Sequence, residues 1–174
     1  MLIRTERLTI RHIVAEDWKS IKEIWMDFHC SLYSQYDKPH STDDEDVRNR
    51  IAKWAVANSG TDHMFFAICS GDTVIGYTAF NRCEDRFELG YCFHSAYHRK
   101  GYGKESHTAL ISYLSQRGIF KFCAGTAINN TPSVALLQSL GFELVGTEAV
   151  SFHQDADGND IFFEGGIFEL NTTH

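Results

Sequence analysis

A short segment rich in glycine and basic side chains has the composition of an anion-binding loop. It runs His98-Arg99-Lys100-Gly101-Tyr102-Gly103-Lys104, and we call residues 98–104 the glycine loop. Glycines let the main chain approach a ligand closely. If a helix follows, the free N–H groups of its first turn, at the positive end of its dipole, point at whatever lies in the bend. The basic side chains add positive charge, so the pattern predicts a phosphate site.

The glycine spacing excludes two common nucleotide-binding loops. A dinucleotide fingerprint requires a third glycine where Ser106 stands, and a Walker-type loop requires Ser or Thr where Glu105 stands. An apolar, β-rich run over residues 87–93 precedes the glycine loop, and a helical pattern that ends at Gly118 follows it. The sequence therefore predicts a strand, a bend and a helix at this point.

Composition predicts one domain over residues 1–174, with 43% hydrophobic and 22% charged residues. No apolar run reaches the roughly 18 residues of a membrane span, and the first residues lack a signal peptide's apolar segment. We therefore expect a cytoplasmic protein without a membrane partner. The net charge of -7 disfavours a nucleic-acid partner. The scattered cysteines and histidines have no metal-ligand spacing, so no metal is expected.

Hydrophobic periodicity predicts the elements before the glycine loop. The helices carry apolar stripes, and the later strands are apolar runs separated by turn residues. In order, they are a strand at residues 8–13, a helix opening at 15–17, a loop at 29–42, a helix capped by Ser41 or Thr42 that runs to 58–60, and strands at 63–69, 74–80 and 87–93.

The elements after the glycine loop follow from the same patterns. The helix that ends at Gly118 is followed by a strand at residues 121–126. Asn130 or Thr131 caps a further helix, which tolerates Pro132 in its first turn and stops at Gly141. Residues 142–152 and 160–170 then predict a final hairpin.

Several segments resemble the GNAT N-acetyltransferases. The glycine loop is similar to their pyrophosphate pattern, Arg/Gln-x-x-Gly-x-Gly/Ala, with His98 in place of Arg or Gln. The run Asn129-Asn130-Thr131-Pro132-Ser133, followed by Leu140-Gly141-Phe142, resembles the Asn-x-x-Ser…Leu-Gly-Phe signature of the RimJ/RimL-like subgroup, as do Arg4-Thr5-Glu6-Arg7-Leu8 and Glu88-Leu89-Gly90-Tyr91. The resemblance implies an α+β (α/β) GNAT fold. Its mixed, mostly antiparallel sheet would have about six to seven strands flanked by about four helices, with one splayed pair of strands.

The resemblance implies acetyl-CoA as co-substrate, lying between the strands at residues 87–93 and 121–126. The glycine loop would bind the pyrophosphate, and the pantetheine arm would pair with the strand at 87–93. A backbone N–H near Tyr91 to Phe93 would stabilise the oxyanion, and Asn130 would anchor the cofactor arm. The implied cofactor-binding residues are Tyr91, Cys92, Phe93, His98, Arg99, Lys100, Gly101, Tyr102, Gly103, Lys104, Asn130 and Ser133.

Three residues are candidates for proton transfer under this resemblance. Glu88 is the first candidate for the base and Glu164 the second, because related enzymes place carboxylates in these strands. Ser133 matches the serine that protonates the leaving thiolate in some relatives. Each residue also has a structural interpretation. Glu88 is equally compatible with a solvated carboxylate or a partner of Arg86, Glu164 with a solvated strand acid, and Ser133 with a hydroxyl bonded to its own helix.

The acceptor implied by the resemblance is a primary amine, either a protein N-terminus or a small molecule. Its pocket would be lined by Trp25, Phe28, His29, Tyr33 and Tyr36, although the periodicity of Trp25 and Phe28 also fits core packing. Residues 16–46 hold nine acids against three lysines, which favours a basic or amine acceptor. A homodimer is compatible with these features. The alternatives are a non-catalytic acyl-CoA-binding or regulatory module, and an anion-binding protein without CoA.

Overall fold

A mixed sheet of eight strands organises the chain in the computed structural model, which describes residues 1–172. The strands are β1 Leu2–Arg4, β2 Thr9–His12, β3 His63–Ser70, β4 Thr73–Cys83, β5 Arg86–Phe93, β6 Lys121–Ala127, β7 Glu143–Gln154 and β8 Asp160–Asn171. The helices are α1 Trp18–His29, α2 Asp44–Ala57, α3 Tyr102–Ser115 and α4 Thr131–Ser139. Short 3₁₀ helices lie at Ala15–Asp17, Leu32–Tyr36 and Ser95–Tyr97. Within residues 1–172, no helix is long and apolar enough to cross a membrane.

The strand order is β1-β2-β3-β4-β5-β6-β8-β7. Neighbouring strands pair antiparallel, except for the parallel pair of β5 and β6. This confirms the α+β class and the mostly antiparallel sheet. The eighth strand is β1, whose three residues pair with β2 in a hairpin. It is too short to show an alternating pattern in the sequence, which explains why only about six to seven strands were expected.

Alternation along the strands divides the apolar core between the two faces of the sheet. On one face, Phe66 and Ile68 pack with the buried side chains of α3 and α4. On the other face, Phe65 and Ala67 pack with those of α1 and α2. The helices therefore lie on opposite faces of the sheet, two on each.

The cap of α2 differs from the prediction. Asp43 is the N-cap, and its carboxylate accepts bonds from the backbone N–H groups of Glu45 and Asp46. Ser41 instead bonds the Asp46 carboxylate over 2.7 Å. An acid that immediately precedes the helix caps it as well as serine does, because both side chains present an oxygen to the free N–H groups.

A gap opens between β5 and β6, as the resemblance predicted. The two strands pair only at Phe87 with Phe122 and at Glu88 with Cys123. Beyond these pairs, β5 continues alongside β4 as far as Phe93, and β6 continues alongside β8 as far as Ala127. The gap therefore leaves one edge of each strand free for a ligand that extends between them.

Candidate active site

The glycine loop links the end of β5 to α3 through a left-handed bend. Arg99 has a φ of 57° and Gly101 a φ of 81°, and Gly101 is the N-cap of α3. The first intrahelical bond runs from the N–H of Glu105 to the carbonyl of Gly101, over 3.0 Å. The N–H groups of the preceding residues, 102–104, therefore have no partner in the helix and are available to an anion.

A clamp from the N-terminal hairpin holds this bend. Glu105 accepts bonds from the Thr5 hydroxyl at 2.6 Å and from the Arg7 guanidinium at 2.7 Å. Arg7 also donates to the Lys100 carbonyl over 2.8 Å and lies over the Tyr102 ring. Although burial opposes the shift, the bonds from Thr5 and Arg7 hold the pKa of Glu105 below its usual value. This contact gives the Arg4-to-Leu8 motif a structural role that the sequence patterns did not reveal.

Two close contacts explain why positions 101 and 103 are glycines, and a buried histidine fixes the start of α3. A Cβ on Gly101 would lie 3.3 Å from the Arg7 guanidinium, and one on Gly103 would lie 3.0 Å from Leu136 on α4. The buried His107 ring makes bonds of 2.6 Å to the Gly103 carbonyl and 3.1 Å to the Thr78 hydroxyl. Burial lowers the pKa of His107 to about 4. The ring is therefore neutral at pH 7, with its hydrogen on Nδ1, and it ties the start of α3 to β4.

His98 contacts β5. Its Nε2 donates to the Phe93 carbonyl over 2.8 Å, which holds the glycine loop against the end of the strand. Arg99, Lys100 and Lys104 are exposed, and within residues 1–172 none of them forms an ion pair. These three cations are therefore free to neutralise a bound phosphate.

The edge of β5 presents free backbone groups to the gap. The N–H of His94 bonds the Ile75 carbonyl over 3.0 Å, so by alternation the N–H of Cys92 also faces β4. Tyr91 and Phe93 then direct their N–H groups towards β6. The Cys92 side chain is packed against the α1 and α2 face, and burial raises the pKa of its thiol to about 12.

Across the open end of the gap, Tyr91 on β5 meets Ser133 on α4. Their hydroxyl oxygens are 2.6 Å apart. Asn130 is the N-cap of α4, and its side-chain oxygen accepts from the Ser133 N–H over 3.4 Å. Within residues 1–172, the Ser133 hydroxyl makes no bond to its own helix, in contrast to Ser106, which bonds the Tyr102 carbonyl.

A cleft of about 820 Å³ lies beside the far end of the gap, within the size range of ligand pockets. It is bounded by the end of α1, the segment around residues 34–39, and the β7–β8 hairpin. Phe28, His29 and Tyr36, all predicted as acceptor residues, line it. Its other polar and titratable lining residues are Ser34, Gln35, Lys38, Asn129, His153 and Glu164. Of the two candidate bases, Glu164 therefore lies in the cleft.

Other predicted residues lie elsewhere. Trp25 is 1% exposed in the core and donates its ring N–H to the Tyr77 hydroxyl over 2.9 Å. Tyr33 is not among the cleft-lining residues. Glu88 is exposed at the closed end of the gap, opposite Cys123. Among residues 1–172, no three metal-ligating side chains come together.

The acids of residues 16–46 do not line the cleft. Asp17 pairs with Arg11 and Asp44 with Lys22, while Asp27 accepts two bonds from Ser95 and Asp43 caps α2. These carboxylates are occupied by structural roles. The acid excess of residues 16–46 is therefore not concentrated in the lining of the cleft.

Comparisons with known proteins agree with this geometry. A profile of the family described as "Acetyltransferase (GNAT) domain" matches residues 7–143. YnaD of Bacillus subtilis, named an uncharacterized N-acetyltransferase, is 26% identical over 152 residues, 84% of this chain and 85% of YnaD. A Salmonella typhimurium acetyltransferase that modifies the N-terminal serine of ribosomal protein L7/L12 is 16% identical, with a TM-score of 0.86 over 99% of this chain and 100% of its own. RimL, solved in complex with coenzyme A, is 17% identical, with a TM-score of 0.83 over 98% of each chain.

Proposed function

The chain belongs to the GNAT family of acetyl-CoA-dependent acetyltransferases, and on that premise we propose that it transfers the acetyl group to a primary amine by direct attack in a ternary complex. The observation that carries this proposal is the continuity of three features. The left-handed glycine loop follows β5, the gap opens toward the carboxyl ends of β5 and β6, and the cleft is lined by Asn129 just beyond β6. Together they offer a site for an anion, an extended arm and an acceptor.

The donor is held mainly by backbone groups in this proposal. The free N–H groups at the start of α3 bind the pyrophosphate, and Arg99, Lys100 and Lys104 neutralise its charge. The pantetheine arm lies along β5. The N–H groups of Tyr91 and Phe93 face this arm, so one of them stabilises the oxyanion that forms when the amine attacks the thioester carbon.

For the proton transfers we favour Glu164 as the base and Ser133 as the acid. A base must reach the amine, and Glu164 lies in the cleft whereas Glu88 lies at the closed end of the gap. The Ser133 hydroxyl lies beside the gap, free of its own helix, and can donate to the departing sulfur. Collapse of the intermediate then gives the amide and a neutral thiol.

The acceptor that we favour is a protein or peptide N-terminus, with a small-molecule amine as the second candidate. Two solved structures with this fold are of acetyltransferases that act on ribosomal protein L7/L12. The cleft is open and partly aromatic, with Tyr36 and Phe163 ring centroids 5.2 Å apart, and has room for side chains beyond the amine. Glu164 faces the amine in this arrangement, while Lys38, which pairs with no carboxylate of residues 1–172, faces the remainder of the acceptor.

The test combines binding and turnover. Calorimetry with acetyl-CoA, coenzyme A and ATP should show binding of both CoA species at micromolar concentration and none of ATP. A panel of N-terminal peptides and small amines, followed by thiol release, then identifies the acceptor. Failure to bind either CoA species would refute the proposal. Binding without turnover across the panel would favour the non-catalytic acyl-CoA-binding module instead.

A further inference from the structure

The direction of the hydrogen bond between the Tyr91 and Ser133 hydroxyls determines what Ser133 can donate to. The two oxygens are 2.6 Å apart and share one hydrogen, so one hydroxyl donates and the other accepts. A serine that donates to the tyrosine has no hydrogen left for a substrate. A serine that accepts keeps its own hydrogen for a second partner.

Two considerations favour Tyr91 as the donor, and a ring contact keeps the two hydroxyls together. Within residues 1–172, neither hydroxyl has another acceptor. Ser133 borders the gap, where a ligand can accept its hydrogen, whereas the Tyr91 side chain packs against the core, so an unused phenolic hydrogen is the less favourable of the two. A phenol is also more acidic than an alcohol and is the stronger hydrogen-bond donor. Finally, the Tyr91 ring is fixed edge-on against the buried His107 ring, with centroids 4.8 Å apart, so its hydroxyl is held at Ser133.

We propose that Tyr91 is a positioning residue that donates its phenolic hydrogen to Ser133 and so leaves the serine hydrogen directed at the leaving sulfur. This inference rests on the proposed function. When the C–S bond breaks, its electron pair stays on sulfur, which takes the serine hydrogen. The serine oxygen keeps the hydrogen bond from the phenol and regains a proton from solvent, to which Glu164 releases the proton that the amine lost.

The burial of Tyr91 also suits this role. Burial raises the pKa of Tyr91 to about 12, which keeps the phenol protonated at pH 7. A hydroxyl that accepts one hydrogen bond becomes a better donor of another. The contact therefore both orients Ser133 and strengthens it as a donor.

The experiment is a double-mutant cycle in acetyl transfer with Tyr91→Phe, Ser133→Ala and the double variant. Tyr91→Phe keeps the ring against His107 and removes only the hydroxyl. We expect kcat to fall about tenfold, with KM for acetyl-CoA and the calorimetric affinity for coenzyme A unchanged. In the Ser133→Ala background, Tyr91→Phe should change kcat less than about twofold, because residues that act as a unit are not additive.

Tyr113→Phe is the matched control. Tyr113 is on α3, its hydroxyl has no hydrogen bond within residues 1–172, and its ring contacts Arg117 away from the gap. A fluorotyrosine at position 91 is a second variant, which keeps the fold and strengthens the donor, so it should raise kcat, and a kcat below the wild-type value would contradict the inference.

The outcomes separate the inference from the function on which it rests. Loss of turnover in Ser133→Ala but not in Tyr91→Phe would overturn the inference and leave the acetyltransferase function intact. Multiplying losses in the double variant, or weaker coenzyme A binding with unchanged kcat, would also overturn it. Absence of turnover in the wild-type protein across the acceptor panel would contradict both.

Discussion

Replacing Arg7 with alanine should weaken coenzyme A binding about tenfold although Arg7 lies outside the glycine loop. The change removes three polar side-chain contacts, two to the Glu105 carboxylate and one to the Lys100 carbonyl, together with the packing on the Tyr102 ring. Because the Arg7 side chain is 44% exposed, solvent screening reduces each contact to roughly 0.5 kcal/mol. Together they stabilise the left-handed bend by about 1.5 kcal/mol. Without them, part of the binding free energy of coenzyme A is used to order the bend, which raises Kd about tenfold.

The assay is calorimetric titration with coenzyme A, accompanied by thermal unfolding. Arg4→Ala is the matched control, because it removes the same charge from the same hairpin and Arg4 forms no ion pair within residues 1–172. Glu105→Gln keeps the Arg7 charge but breaks the ion pair, so it should weaken binding as well. If Arg7→Ala weakens binding and Glu105→Gln does not, then Arg7 contacts the phosphates directly, and its contact with Glu105 does not hold the bend.

Three further changes probe other parts of the site. Burial lowers the pKa of His107 from 6.5 to about 4. Between these values the unfolded chain binds a proton that the folded chain does not, so the free energy of unfolding should fall by roughly 3 kcal/mol from pH 7 to pH 4; denaturant titrations of His107→Gln should lack this slope. Gly103→Ala brings a Cβ within 3.0 Å of Leu136, so calorimetry should show that the free energy of unfolding falls by about 1 kcal/mol. Adding Leu136→Ala to this variant should remove the clash and reduce that loss. Glu164→Gln should lower kcat about 100-fold with coenzyme A affinity unchanged, whereas a larger loss in Glu88→Gln would move the base to Glu88.

Local patterns in the sequence were sufficient for the features that depend on neighbouring residues. The bend at Gly101 needs a left-handed residue directly before a helix, and the cap at Asn130 directly precedes its helix, so both were predictable. The splay between β5 and β6 came instead from the family resemblance, because no property of either strand alone indicates where pairing stops.

The contacts that hold the site join residues far apart in the chain, and patterns do not locate them. Arg7 and Glu105 are 98 residues apart, and Tyr91 and Ser133 are 42 apart. Trp25 has the same periodic signal whether it lines a pocket or the core, and only packing places it at 1% exposure. Likewise, charge counts cannot distinguish an acid that faces a cleft from one that caps a helix.

The most direct test of the central claim is acetyl transfer by the wild-type protein. The protein is incubated with acetyl-CoA and a panel of N-terminal peptides and small amines, thiol release is followed, and products are weighed by mass spectrometry. We expect acetyl-CoA-dependent thiol release with at least one acceptor, and a product heavier by one acetyl group on its amine. Thiol release that does not depend on any acceptor, or no release while coenzyme A binds, would contradict the claim.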